Sequence, residues 1–186
     1  YKEGYIMFTY AIDDKITLKM LDLRDSEQLF SLTVGSKNSL REWLPFIDYT
    51  KTVADTENFI KSTMKQFSEN NGIQAGIWYE GNLAGVIGFH KIDWNNKSTS
   101  IGYWLGEDYV GNGLMTKSVK AFVDYALIDL GLNRVEIRAA VENKKSRAIP
   151  ERLGFTHEGT IRQSEWLYDH YVDHEVYGML ASDWKK

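Results

Sequence analysis

The chain has 186 residues, with 26 acidic and 22 basic side chains, a net charge of −4, 43% hydrophobic content and no cysteine. A domain of this length buries roughly 70% of its unfolded surface and needs no staple. Lack of cysteine excludes a disulfide framework or thiolate metal site and fits a reducing, cytoplasmic setting; the acidic balance argues against nucleic acid and suits a cationic substrate. No apolar run approaches the ~20 residues of a membrane span, and nothing reads as a signal peptide.

Met7 reads as a natural start, so residues 1–6 are taken as a tag remnant and 7–186 as one expected domain. Residues 16–23 alternate as a first strand, and Asp25-Ser26-Glu27 supplies helix-start chemistry for 26–34. A second helix is predicted over 54–70, with Thr56, Phe59, Ile60, Met64 and Phe67 on one face. Gly81-Asn82 marks a hairpin, Asn95-Asn96 the next turn, and 99–106 the third strand of a meander. Residues 114–129 turn helical, with Gly131 at the C-cap. A strand over 134–141, a short helix over 146–153 and strands over 155–166 and 171–180 complete an α/β chain. Hairpin connections dominate, which argues against a doubly wound nucleotide fold.

The most informative stretch is a strand, then Gly111-Asn112-Gly113, then the helix opening at Leu114-Met115-Thr116. Glycines at 111 and 113 free the backbone to aim several N–H groups at one spot, and the helix start adds more N–H groups and a partial positive charge. That combination suits a pyrophosphate, with the Thr116 hydroxyl one turn in and Lys117 at a distance. Taken alone, the glycines also serve simply to close a loop. A Rossmann fingerprint needs glycine where Thr116 stands, and a Walker A loop needs lysine where Asn112 stands.

Here the chain resembles the GNAT acetyltransferases, specifically the RimJ/RimL-like branch. The residues that carry the resemblance are Asp108-Tyr109-Val110-Gly111-Asn112-Gly113, Asn143 through Phe155, and the stretch Glu158 to Trp166 containing Glu165. Asp108 departs from the Gln/Arg of the family pattern, so the resemblance supports the main-chain cradle and not a side-chain contact there. It implies a mixed, mostly antiparallel sheet flanked by helices, with strands splayed near 103–105 and 135–140. It also implies acetyl-CoA as co-substrate, its pantetheine pairing with the backbone of Trp104 and Leu105, and Asn143 and Ser146 beside the thioester.

An amine attacking a thioester must be neutral, the developing oxyanion needs donors, and the leaving thiolate needs a proton. At pH 7 an α-amine is about 14% neutral and a lysine amine about 0.04%, a difference of about 3.5 kcal/mol that favours an N-terminal acceptor. The resemblance makes Ser146 the proton donor to sulfur, where many GNAT enzymes use tyrosine; a plain helix-capping role is the alternative. Pro150 has no N–H for the Ser146 carbonyl, which predicts a kink or tightened turn that turns the hydroxyl into the cleft. Glu165 is the expected base, with Glu158 in reserve on the opposite side of an unbroken strand.

The four histidines point to no metal. His170 and His174 sit i, i+4 on a strand, roughly 13 Å apart, which disfavours zinc. His90, in a central strand followed by Asp93, is expected in the core, with a place bordering the acceptor pocket as the alternative, and His157 without a partner. Trp43, Phe46, Trp166 and Tyr168 are candidates to line an acceptor groove. The expectation is direct acetyl transfer in a ternary complex to a protein N-terminus, ribosomal proteins being the family-level choice. A small-amine enzyme and a non-catalytic acetyl-CoA sensor are the rivals. Nucleic-acid and membrane partners are not expected, and a homodimer is the self-association common in the resembled family.

Overall fold

A computed structural model describes residues 9–184; the tag reading of 1–6 lies outside them. Eight strands form one sheet in the order β1-β2-β3-β4-β5-β6-β8-β7. They are β1 (Thr9–Ala11), β2 (Ile16–Met20), β3 (Gln74–Tyr79), β4 (Asn82–Asp93), β5 (Ser98–Leu105), β6 (Arg134–Ala140), β7 (Thr156–Leu167) and β8 (His170–Leu180). The α-helices are α1 (Ser26–Gly35), α2 (Lys37–Arg41), α3 (Val53–Ser68), α4 (Leu114–Asp124) and α5 (Lys144–Arg152).

The local chemistry explains most boundaries. Glu80 and Gly81 both take positive φ, 48° and 83°, the twist a tight β3–β4 hairpin needs. The strand expected over 16–23 is β2, which ends at Met20. The Asp25 carboxylate accepts from the Asp22 N–H and the Asp22 carboxylate from the Arg24 N–H, a capping box that turns the chain toward α1. The helix expected over 114–129 is α-helical only to Asp124. Its last turn, Tyr125–Asp129, widens to a π-turn, and Gly131 at φ 65° ends it. In α3 the buried stripe is Thr56, Ile60 and Thr63, while Phe59, Met64 and Phe67 lie at the surface. Ile60 sets the inward direction; Phe59 falls about 100° off it at 3.6 residues per turn, whereas Phe67 falls within about 20° of it and is exposed in the last turn of the helix.

Two apolar clusters hold the sheet between its helices. The larger joins Ile77, Ile87, Phe89, Ile101 and Val135 to Val119 and Phe122 of α4. The smaller joins Trp78, Leu83 and Val86 to Leu29 of α1 and Ile60 of α3. Every strand pair is antiparallel except β5 with β6, which pair in parallel only from Ser98–Arg134 to Ser100–Glu136. Past those pairs β5 runs on to Leu105 and β6 to Ala140 without pairing, so the two strands open into a V. A bulge in β4 between Phe89 and Ile92 sits beside the divergence and bends the sheet there.

Candidate acetyl-transfer cleft

Main-chain direction decides what lines the V. The Gly106 N–H donates to the Ala84 carbonyl at 2.8 Å, which makes Ala84 and Gly106 a bonded pair across the antiparallel β4–β5 ladder. By alternation Trp104, two residues back, also turns its backbone to β4, opposite Val86. Tyr103 and Leu105 turn theirs away, toward the opening. Of the two backbone partners expected for pantetheine, Leu105 therefore stands on the open edge. Trp104 does not, because its N–H and C=O belong to the ladder, and its indole packs 6.3 Å from the Phe46 ring on the α1–α3 side.

Below the end of β5 the chain makes the glycine turn. Gly111 and Gly113 take φ of 93° and 72°, and a Cβ added at either meets nothing within 4 Å. The glycines answer a backbone requirement and leave open space in front of the helix. No side chain caps the start of α4, and its first turn carries no acidic residue. Leu114 and Met115 are buried in the large cluster, so only their N–H groups reach the turn. These features fit a diphosphate: several N–H donors, a helix start and clear space. The Thr116 hydroxyl accepts from Arg152 of α5 at 3.3 Å, which brings to the cradle a cation that the sequence did not flag. Lys117 instead pairs with Asp13 at 2.6 Å.

On the same side of the sheet, α5 closes over the V. Asn143 is its N-cap, and its carboxamide oxygen accepts from the Ser146 N–H at 3.1 Å. The cap is therefore Asn143, not Ser146, and the helix opens two residues before the expected start. A kink or tightened first turn was expected near Ser146; α5 is helical from Lys144 to Arg152 with Pro150 inside it. The orphaned Ser146 carbonyl is instead satisfied from across the V, by the Tyr103 hydroxyl at 2.9 Å. The Ser146 hydroxyl lies 3.4 Å from the same Tyr103 oxygen and so faces the strand, not bulk solvent. Burial pushes the Tyr103 phenol up to about 12.

The opposite side of the V is lined by side chains that alternate away from α5. On β8, the Tyr177 hydroxyl meets Arg147 and Glu151 of α5 at 3.0 and 2.7 Å, so His174, an odd number of residues away, projects from the other face. There His174 Nε2 lies 2.9 Å from Glu165 Oε2, which places the expected base across the sheet from Ser146. The parity argument separating Glu165 from Glu158 fails, because β7 is not one unbroken strand. Its register shifts between His157 and Gly159 and again between Ile161 and Glu165, with Gln163 at φ 50°. Glu158 is instead forked by Arg134 at 2.6 and 2.5 Å, near the closed end of the V, and this guanidinium holds its carboxyl below the ordinary range. Counted along β8, the two carboxylates are roughly 15 Å apart, and only Glu165 is at the open end.

Two histidine expectations change. His157 has a partner after all: it bonds the buried Glu175 carboxylate, which also accepts from Thr160 at 3.0 Å. His90 is exposed, not packed in the core, its Nδ1 3.0 Å from the Ser100 hydroxyl. Its ring fits there because Gly102 opposite has no side chain: a Cβ would meet His90 Nε2 at 2.4 Å. Partial burial, with Arg138 nearby, lowers its basicity. Of the aromatic candidates, Tyr168 lines an open hollow beside α2. Its hydroxyl donates to the Arg41 carbonyl at 2.6 Å, and the Arg41 guanidinium sits 4.5 Å over its ring. Together they tie the β7–β8 turn to α2 beside this hollow of about 400 Å³. Trp166 packs edge-on to Tyr171 at 4.8 Å, both largely exposed.

Comparison with known proteins agrees with this geometry. Residues 15–156 match the family model described as the acetyltransferase (GNAT) domain. The putative ribosomal N-acetyltransferase YdaF of Bacillus subtilis (strain 168) is 38% identical over 181 residues, spanning 96% of this chain and 98% of the relative. Among solved structures, the microcin C7 self-immunity acetyltransferase MccE, in complex with acetyl-CoA and AMP, superposes with a TM-score of 0.89 at 30% identity. That match covers 94% of this chain and 97% of the other. RimL, a ribosomal L7/L12 alpha-N-protein acetyltransferase in complex with coenzyme A, also gives 0.89, at 26% identity over 92% and 97% of the two chains.

Proposed function

Because the chain belongs to the GNAT family and is an acetyl-CoA-dependent N-acetyltransferase, we propose that its acceptor is the N-terminal α-amine of a protein, a ribosomal protein being the class its relatives' names suggest. The observation that carries this reading is the division of the V into two faces. A main-chain anion cradle and a serine hydroxyl stand on one face, and a histidine-held carboxylate on the other, where an amine can enter.

When bound, acetyl-CoA supplies the acyl group as a thioester. The residues placed to hold it are the N–H groups from Gly113 to Thr116, the Arg152 cation and the open backbone edge of Tyr103 and Leu105. Glu165 takes the proton of the acceptor amine on its carboxylate, with one oxygen fixed by His174. Ser146 Oγ–H is the proton donor on the facing wall, and Asn143 and Tyr103 fix its main chain on both sides. At pH 7 an α-amine is far more often neutral than a lysine ε-amine, which supports an α-amine as the acceptor.

The test is thiol release with three acceptors at matched concentration: a Ser-starting peptide, the same peptide with a blocked N-terminus and an internal lysine, and spermidine. Acetylation of the free α-amine peptide at least tenfold faster than either alternative is the expected result. Equal or faster spermidine turnover would move the enzyme to the small-amine class. Tight acetyl-CoA binding with no turnover on any acceptor would make it a sensor.

A further inference from the structure

We propose that Tyr103 is a positioning residue for Ser146, required because Pro150 leaves that serine's carbonyl without its helical donor. The inference rests on the reading of Ser146 as the proton donor, and it concerns a residue on a different strand, 43 positions away in sequence.

In a regular helix the carbonyl of residue 146 accepts from the N–H of residue 150. Proline has none, so the first turn of α5 loses one of its fixing bonds at the residue whose side chain must point into the cleft. The Tyr103 hydroxyl replaces that donor at 2.9 Å. Its single proton is thereby committed, and its oxygen is left as an acceptor for the Ser146 hydroxyl at 3.4 Å. The two contacts differ in strength. The bond to the carbonyl has ordinary length and fixes the serine's backbone, whereas the contact to the hydroxyl is long and weak. Ser146 is therefore held firmly in place while its hydroxyl stays free to turn from Tyr103 toward the cleft. Asn143 fixes the same residue from its N–H side at 3.1 Å, so the serine is clamped at both main-chain groups. Tyr103 also spans the V from β5 to α5, and so sets the distance between the strand edge at Leu105 and the donor hydroxyl.

A double-mutant cycle tests this. Tyr103→Phe removes the donor, Pro150→Ala restores a backbone N–H at position 150, and the double variant lets the helix satisfy the Ser146 carbonyl itself. Steady-state turnover per folded molecule is read at saturating acceptor, with acetyl-CoA KM and the melting temperature of each variant measured alongside. Tyr103→Phe is expected to lower kcat about tenfold with acetyl-CoA KM within about twofold, and the double variant to recover most of that loss. A Tyr103→Phe enzyme with wild-type kcat and only a lower melting temperature would reduce the bond to a structural role and overturn the proposal. A double variant no faster than Tyr103→Phe would overturn it too. Ser146→Ala run beside them separates the two claims. Full turnover there removes the proton-donor reading and with it the inference, whereas slow Ser146→Ala with unimpaired Tyr103→Phe removes only the positioning.

Discussion

On the α4–α5 side of the V, the groups we propose for the co-substrate are mostly main chain: two glycines at positive φ, the uncapped N–H groups of α4 and the open edge of β5. On the opposite side the groups we propose for the acceptor are side chains from separate strands and a helix: Glu165 on β7, His174 on β8, His90 on β4 and the Tyr168–Arg41 contact that reaches α2. A main-chain site tolerates almost any side chain provided its backbone conformation is kept. A side-chain site can be retuned by single replacements without disturbing the sheet. The difference fits a family in which the donor is constant and the acceptor varies.

The largest expected effect comes from the acceptor side. Glu165→Gln keeps shape and the possibility of a His174 contact but removes the base, so turnover should fall by about two to three orders of magnitude in a thiol-release assay. A loss under fivefold would mean that the proton leaves by another route.

Gly113→Ala probes the other face. A Cβ there meets no atom within 4 Å, so the penalty is purely conformational. A non-glycine residue at φ 72° costs about 1–2 kcal/mol, so acetyl-CoA affinity should fall about tenfold while kcat at saturation stays near wild type. An equal loss of kcat would show that the two faces are not separable.

Tyr168→Phe should act only on the acceptor. Losing the 2.6 Å bond to the Arg41 carbonyl loosens α2 against the β7–β8 turn. A bond of this kind is worth about 0.5–1.5 kcal/mol. Acceptor KM is therefore expected to rise about threefold with acetyl-CoA KM unchanged, as measured by varying each substrate in turn.

The smallest effect is in pH dependence. The Tyr103 phenol is raised to about 12 by burial, so its contribution to stability is complete below the ordinary phenol value near 10 and is lost as pH rises from there toward 12. Glu158 is depressed by Arg134, so its contribution is present above the ordinary carboxylate range and is lost as pH falls through and below it. Melting curves should accordingly stay flat between about pH 6 and 9. The acid limb should be shallower in Glu158→Gln and the alkaline limb shallower in Tyr103→Phe.

The two faces also differ in how much of them can be read from sequence. The glycine turn was legible because positive φ restricts residue choice locally; the β3–β4 hairpin was legible to within one residue, its turn falling at Glu80-Gly81 where Gly81-Asn82 was expected. Ser146 and Glu165 were named through resemblance, but what holds them was not. The Ser146 carbonyl was correctly read as orphaned by Pro150, but the Tyr103 hydroxyl that supplies the missing donor lies on β5, 43 residues away, and no local pattern announces it. The Glu165–His174 pair depends on a register shift centred on Gln163, which no alternation pattern announces. His90 was expected in the core, with a border position on the acceptor pocket as the alternative, and it is exposed because a bulge and Gly102 make room for its ring. The short β1 escaped notice since three residues carry too little alternation to register.

The division of the V into a main-chain donor face and a side-chain acceptor face is tested most directly by calorimetric titration of acetyl-CoA into the Glu165→Gln enzyme. A dissociation constant within about twofold of wild type, in an enzyme that no longer turns over, is the predicted result. A tenfold weaker constant would contradict it, because Glu165 would then belong to the donor site and not to the face across the sheet.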